Sequence, residues 1–372
     1  MSHSLLVFRK LKGGSTYVLN TNFESVAVID EFESLIWTDR YDEAGDFELF
    51  MAMNNDLLKY IRQDYYLWNP KSEHVMVIEQ LNITSDVEEG NKLIVTGRSI
   101  ESILERRIIW GQTVLNGNLQ KAIGTLLDEN IISPSISERK IDNFVFTECS
   151  DATVTGLTID AQYTGENLYE VVSTLCKKNN IGFKIVLDDN NRFVFSLYSG
   201  KDRSYNQANN PYVIFSPDFE NIINSNYLES KKTMKNVTLV AGEGEGAARK
   251  TSIVGTASGL ERRELFTDAR DISSDVGEGK TLTSAEYTEQ LNQRGTEKLS
   301  EYKTVTSFEG EVEATRMFKY GTDFFIGDIV QIANEYGHEG QAYISEFIMS
   351  QSESGVSMYP TFKTIQEGDD IL

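Results

Sequence analysis

Short stretches that alternate apolar and polar residues, each ended by a polar turn, recur along most of this chain and restrict it to mainly β folds. Residues 45–53 set Phe47, Leu49 and Met51 against Asp46 and Glu48, although Phe50 breaks the polar face. Successive side chains of a strand point to opposite faces, so this period of two implies a half-buried strand. Residues 25–30, 34–40, 65–68, 75–84 and 92–97 read as further strands, with Asn69-Pro70 and residues 86–91 as turns between them. Many short strands with polar turns argue for a sandwich or barrel.

Helical periodicity interrupts this pattern. Residues 99–104 open on Ser99, a capping residue, and repeat apolar positions at three and four. Residues 118–130 place Leu119, Ile123, Leu126 and Leu127 on one face. Thr164–Asn167 leads into the stripe Leu168, Val171, Val172, Leu175 and Cys176, which Asn179-Asn180 ends. Two strands follow, 182–187 and 192–197, joined by the hairpin turn Asp188-Asp189-Asn190-Asn191. Together these read as a small α+β domain. From Tyr212 the pattern is β again: 235–241, a glycine-rich tip at 242–246, and a hairpin partner at 249–254. Residues 284–302 are polar and helix-prone, which predicts an exposed helix, and strands resume at 306–315, 328–332, 341–349 and 357–363.

One internal repeat stands out. Val77-Ile78-Glu79-Gln80-Leu81-Asn82-Ile83 and Tyr343-Ile344-Ser345-Glu346-Phe347-Ile348-Met349 carry apolar residues at the first, second, fifth and seventh places. Each follows a strand and a polar turn, and each precedes a loop and another strand. Two related β-barrels are one explanation, and chance similarity between amphipathic strands is the other. The expected organisation is mainly β with α+β insertions. A first β-barrel covers 1–110, an α+β domain 111–210, and a second β-barrel 211–255 with 303–372. A polar helical or loop insertion occupies 256–302. About two or three domains suit 372 residues.

Chemistry is scarce in this sequence. Its 57 acidic and 35 basic residues give a net charge of −22, a surface that repels phosphates and anionic membranes. That acidity either keeps a large protein soluble or lines a passage through which nucleic acid slides without sticking. The three histidines, His3, His74 and His338, have no metal-ligand spacing and fall in expected tails or turns, which predicts solvated rings. Cys176 lies on the apolar stripe, Cys149 has no local signature, and two thiols make no disulfide framework. Gly242-Glu243-Gly244-Glu245-Gly246 lacks the Lys-Ser/Thr of a phosphate loop, and its glutamates would repel phosphate, so it reads as a hairpin tip. Trp37, Trp68 and Trp110 are expected in the core. With so many acids, no carboxylate pair can be singled out for glycoside cleavage. No catalytic residue, metal site or cofactor is therefore expected. The start of the chain is too briefly apolar for a signal peptide, and no run approaches the roughly 18 apolar residues of a membrane span.

The ordered motifs resemble a known family. Trp37-Thr38-Asp39-Arg40-Tyr41-Asp42-Glu43-Ala44-Gly45-Asp46-Phe47-Glu48-Leu49 resembles the N-terminal signature of baseplate-hub-like, tail-associated proteins at the tail tip of long-tailed bacteriophages of Gram-positive hosts. Residues 95–104, 262–271 and 320–330 are similar to that family's later blocks, in the same order, and together the blocks span nearly the whole chain. The resemblance implies a non-enzymatic structural hub in the virion tail tip, assembled in the host cytoplasm. It implies a homotrimer with two related β-barrels per chain, hence a pseudo-sixfold ring that closes the tail tube. Implied partners are the distal tail protein ring, the tape-measure protein end, and receptor-binding or fibre proteins, with DNA passing through without specific binding. Many relatives carry a lytic or host-binding region after the hub; none is expected on this polypeptide, which stops at Leu372.

Ring formation is expected to use strand edges or barrel faces. The candidates are Val77, Glu79, Leu81 and Ile83 on one strand and Tyr343, Ser345, Phe347 and Met349 on the other, unless both strands are interior to their barrels. The 284–302 helix is either a partner-binding element or a solvated insertion. Rival readings are a tail-tip carbohydrate-binding adhesin, a cell-wall hydrolase, and a component of a related contractile injection machine.

Overall fold

A computed structural model describes residues 15–88, 90–277, 279–312, 317–334, 336 and 339–364. The chain begins with β1 (Thr16–Leu19), β2 (Ser25–Ile29), β3 (Ser34–Arg40), β4 (Asp46–Ala52), β5 (Tyr66–Trp68), β6 (Val75–Asp86) and β7 (Gly90–Ser99). A 3-10 helix, Ile100–Arg106, leads to β8 (Thr113–Asn118), α1 (Leu119–Leu127), β9 (Phe144–Thr147), β10 (Thr158–Tyr163), α2 (Leu168–Lys178), β11 (Gly182–Leu187) and β12 (Phe193–Tyr198). After β13 (Ile214–Phe215) and β14 (Ile222–Ser230) come β15 (Val237–Ala241), β16 (Thr251–Val254), β17 (Glu264–Asp268) and α3 (Ser284–Ser300). The chain then returns through β18 (Val305–Val312), β19 (Ile329–Ala333), β20 (Glu339–Ser352) and β21 (Gly355–Thr364).

Thirteen strands form one sheet, in the order β14-β18-β21-β20-β3-β4-β7-β6-β5-β1-β2, with β13 and β19 attached beside β20. The sheet curls. Val18 and Ile29 near one end share a buried core with Trp37, Phe47, Leu49, Ile78 and Val95. A second core on the other half gathers Phe215, Val330, Ile344, Phe347 and Phe362. Among the described residues no strand pairing closes either half, so the expected barrels are curled, open sheets within this chain.

The repeat extends to backbone pairing. Val77 lies opposite Tyr66 and Arg98, and Tyr343 opposite Ile329 and Lys363. The register then slips once in each copy, between Ile78 and Gln80 and between Ile344 and Glu346, placing a bulge at Glu79 and at Ser345. Beyond the bulge, Gln80 faces Thr96 and Glu346 faces Thr361. The correspondence continues outward: Phe47 pairs Gly97 as Phe308 pairs Phe362, and Trp37 pairs Phe47 as Tyr227 pairs Phe308. Strands β3-β4-β7-β6-β5 thus match β14-β18-β21-β20-β19. A bulge bends and twists its strand, so two bulges at one position give the two halves the same curl.

Three expectations change here. Residues 235–254 do not join the second half of the large sheet. Strands β15, β16 and β17 form their own three-stranded sheet, packed on α3. The α3 helix is capped as a capping box by Thr283 and Glu286, but it is not solvated all round. It buries Tyr287, Gln290, Leu291, Arg294 and Glu297, and the polar members are matched with polar partners. Tyr163 donates to Glu297 at 2.9 Å, and Arg294 meets Asp271 at 2.8 Å and Glu166 at 3.0 Å. Residues 100–106 adopt the tighter 3-10 form. The 182–197 hairpin forms as expected, with Asn191 in the left-handed region at φ 58°. The stripe from Leu168 to Cys176 forms α2, capped by Asn167. Of strand 306–315, the last three residues lie outside the described residues.

Candidate functional site

The two repeated halves meet along one antiparallel seam, where β20 pairs β3 from Glu346 opposite Arg40 to Ser352 opposite Ser34. Met349 lies opposite Trp37, and the two are 5% and 1% exposed. Burying such side chains contributes about 1.5–3 kcal/mol each. At the rim of the seam the Arg40 guanidinium bridges Glu346 at 2.6 Å and Asp46 at 2.8 Å, and donates to the Ala44 carbonyl at 2.9 Å.

The loop after β3 locks the seam to the rest of the molecule. Tyr41 packs in the core of the second half, donates to the Asn180 carbonyl at 3.1 Å and accepts from the Gly200 amide at 3.2 Å. Gly327 leaves room for that ring, since a Cβ there would fall 2.2 Å from Tyr41 Cε2. At Gly45 a Cβ would fall 2.0 Å from the Thr38 carbonyl oxygen, so the turn from β3 into β4 needs glycine.

A buried polar cluster lies behind β3. Trp37 Nε1 donates to Asp39 Oδ1 at 3.1 Å, and Ser72 Oγ donates to the same carboxylate at 3.0 Å. His74 Nδ1 stands 3.0 Å from Glu101 Oε1, which also accepts from the Ile185 amide at 2.7 Å. Burial works against a charged imidazole, yet Glu101 and Asp39 outweigh it and raise His74 to about 9. Burial pushes the Asp39 carboxyl up, while at Glu101 His74 overcomes burial and holds the carboxyl below its ordinary range. His74 is therefore buried and held towards its protonated form beside Glu101, which links the first half to the α+β domain, where a solvated ring was expected. His3 and His338 lie outside the described residues.

The cluster is not arranged as a nucleophilic site. Ser72 Oγ accepts from the His74 backbone amide and donates to Asp39; its hydroxyl is not aimed at the imidazole. Among the described residues no group of His, Cys, Asp or Glu could hold a metal ion. Cys176 is buried. Trp37 and Trp68 are core residues, but Trp110 is 60% exposed with the Arg139 guanidinium 5.2 Å above its ring. No helix of the described residues is long and apolar enough to cross a membrane.

The eight candidate interface residues separate into two environments. Tyr343, Ser345, Phe347 and Met349 lie on β20, whose Glu346–Ser352 stretch has β3 on one side and β21 on the other. Val77 is buried between β5 and β7. Past the bulge at Glu79, the stretch of β6 that holds Leu81 and Ile83 has one strand neighbour among the described residues, β7, and Ile83 is 48% exposed. Glu79 itself holds Arg98 through two contacts of 2.9 Å, and Arg98 reaches Glu105 at 2.6 Å. Sequence reasoning missed the roles of Asp39, Arg40, His74 and Glu101 and did not identify strand β14.

In solved structures the same fold occurs in prophage MuSo2 43 kDa tail protein from Shewanella oneidensis, at 13% identity and a TM-score of 0.56, covering 95% of this chain and 98% of that one. It occurs also in prophage tail protein gp18 from Listeria monocytogenes, at 12% identity and a TM-score of 0.53, covering 95% of both chains. The tail protein from Neisseria meningitidis MC58 matches at 11% identity with a TM-score of 0.53, over 94% and 96% of the two chains. No curated protein sequence matches the chain. Residues 15–362 match one family throughout, and the chain belongs to the Siphovirus ReqiPepy6 Gp37-like protein family.

Proposed function

We propose that this protein is the structural hub of a phage tail tip: a homotrimer whose three chains supply six similar sheet halves in a pseudo-sixfold ring. The observation that carries this reading is the repeat in strand order, register and bulge position between the two halves. A chain with two matched halves lets a threefold assembly meet a sixfold tube. On this reading the barrels close in the assembled ring. The ring joins the distal tail ring and the tape-measure end to the receptor-binding or fibre proteins, and DNA passes through it. The chain acts through these contacts and not as an enzyme.

The outward face of the seam suits such a bore. Each of its two arginines is held between two carboxylates, Arg40 by Asp46 and Glu346 and Arg98 by Glu79 and Glu105. Neither offers a free cation to a phosphate, and Glu48 beside them is exposed. Three chains of −22 carry −66 in all, which opposes DNA adhesion. Electron microscopy of the purified protein tests the reading. Threefold or pseudo-sixfold rings with a central opening are expected, and compact single particles at every concentration would overturn it.

A further inference from the structure

The seam inside the chain specifies a second seam between chains. Each half has a β3-like edge and a β20-like edge. The chain joins one edge of each kind, β20 to β3. Among the described residues that leaves β14, which ends the thirteen-stranded sheet, and the stretch of β6 beyond its bulge, which has β7 alone as strand neighbour. By the repeat, β14 corresponds to β3 and β6 corresponds to β20. We infer that residues 80–84 of β6 pair antiparallel with residues 226–230 of β14 in a second copy of this chain, in the register that β20 keeps with β3. This inference rests on the ring reading and assigns the contact that makes the ring.

The register follows residue by residue. Met349 opposite Trp37 becomes Ile83 opposite Tyr227, and Ile348 opposite Thr38 becomes Asn82 opposite Leu228. Glu346 opposite Arg40 becomes Gln80 opposite Ser230. Exposure supports this independently. Met349 and Trp37 are 5% and 1% exposed, whereas their counterparts Ile83 and Tyr227 are 48% and 37% exposed. Leu228, next to Tyr227, is exposed as well. Solvent-exposed side chains thus stand at the positions that the internal seam covers. The Arg40–Glu346 ion pair has no counterpart at Ser230 and Gln80, so the second seam relies more on backbone pairing and apolar contact. The two edges differ from each other, so the contact is head to tail and closes into a ring when the rotation permits.

Cysteine cross-linking reads the register directly. Residues directly opposite in an antiparallel pair bring their Cβ atoms to about 4.5–5.5 Å, close to the spacing a disulfide needs. The full chain carrying Asn82→Cys and Leu228→Cys is expected, under mild oxidation, to give covalent dimers and trimers on a non-reducing gel. Either single variant should run as a single chain on that gel. The off-register pair Thr84→Cys with Ser230→Cys is displaced by four residues, roughly 13 Å along the strand, and should cross-link at least tenfold less. Native mass spectrometry of the wild type accompanies the gel. A trimer without the Asn82–Leu228 cross-link overturns the pairing and leaves the ring standing. Covalent ladders extending past the trimer support the pairing and overturn the threefold ring. A monomer with no cross-link overturns both.

Discussion

Replacing Glu101 by glutamine tests the buried cluster and carries a defined pH signature. In the folded chain His74 is raised from 6.5 to about 9. That difference corresponds to roughly 3 kcal/mol of stability supplied by the charged imidazole. Below pH 6.5 both folded and unfolded chains hold the proton, and the stabilisation is complete. Between 6.5 and 9 the unfolded chain releases the proton while the folded chain keeps it, so stability falls as pH rises; above 9 the contribution is gone. The amide oxygen of the introduced glutamine can still accept from the Ile185 amide, so the substitution removes the charge and keeps that hydrogen bond. Asp39 still faces the imidazole in the variant, so the loss of stability at pH 6.5 should be up to about 3 kcal/mol, or up to roughly 6–12 °C in the melting of the affected region. The gap should shrink steadily towards pH 9.5. Tryptophan fluorescence is a suitable probe, because Trp37 donates to Asp39 in this cluster. Melts of both proteins from pH 6 to 9.5 decide the matter. A gap that stays constant across the series would refute the assignment of a charged His74.

Other perturbations follow from the same geometry. Trp37→Ala removes the largest side chain of the seam and should cost about 3–5 kcal/mol in urea unfolding; a loss below 1 kcal/mol would show that the seam does not depend on it. Arg294→Met leaves Asp271, Glu166 and Glu297 around α3 without their cation. Local destabilisation of about 3–5 kcal/mol is expected, read as faster hydrogen exchange in α3 with the β3–β20 seam unchanged. Iodoacetamide on the native protein should label Cys149, which is half-buried, and spare Cys176, whose thiol burial pushes well up; mass spectrometry of tryptic peptides reads both. Virions carrying Glu48→Lys together with Glu346→Lys should release DNA more slowly at low salt, and unchanged release kinetics would remove this face from the bore.

What could be read in the sequence was what one strand or one helix stripe carries by itself. Period-two alternation located β4, and β-prone runs bounded by polar turns located β3, β6, β7 and β20. The apolar spacing of residues 77–83 and 343–349 exposed the repeat, but not its bulges or partner strands, which depend on residues far along the chain. Strand β14 was missed because its sequence breaks the period of two, with the adjacent apolar pairs Ile222-Ile223 and Tyr227-Leu228 separated by Asn224-Ser225-Asn226. The 235–254 hairpin was legible as a hairpin, yet hairpin signals say nothing about which sheet the pair will join. Helix α3 read as exposed because its buried face uses Arg294, Gln290 and Glu297, whose partners Asp271, Gln162 and Tyr163 are distant in sequence. His74 sits between Glu73 and an apolar run, with its partners Asp39 and Glu101 on other strands and turns, so nothing local signalled a buried cation.

The placement of the insertions explains how a repeat can persist while its halves differ so much in length. In the first half β3 passes into β4 through residues 41–45, whereas in the second half residues 231–304 separate β14 from β18. Structure added at a strand end leaves the facing of every strand residue unchanged, while one residue added within a strand would exchange its two faces. The 231–304 unit also packs against the α+β domain. Gln162 meets Gln290 and accepts from the Ser273 amide, and Tyr163 reaches Glu297. The inserted units therefore brace each other through polar contacts. The outward face of the seam and the edges of β6 and β14 keep the strand geometry that a ring contact requires. In the proposed ring, changes within the inserted units therefore leave the register of these edges undisturbed.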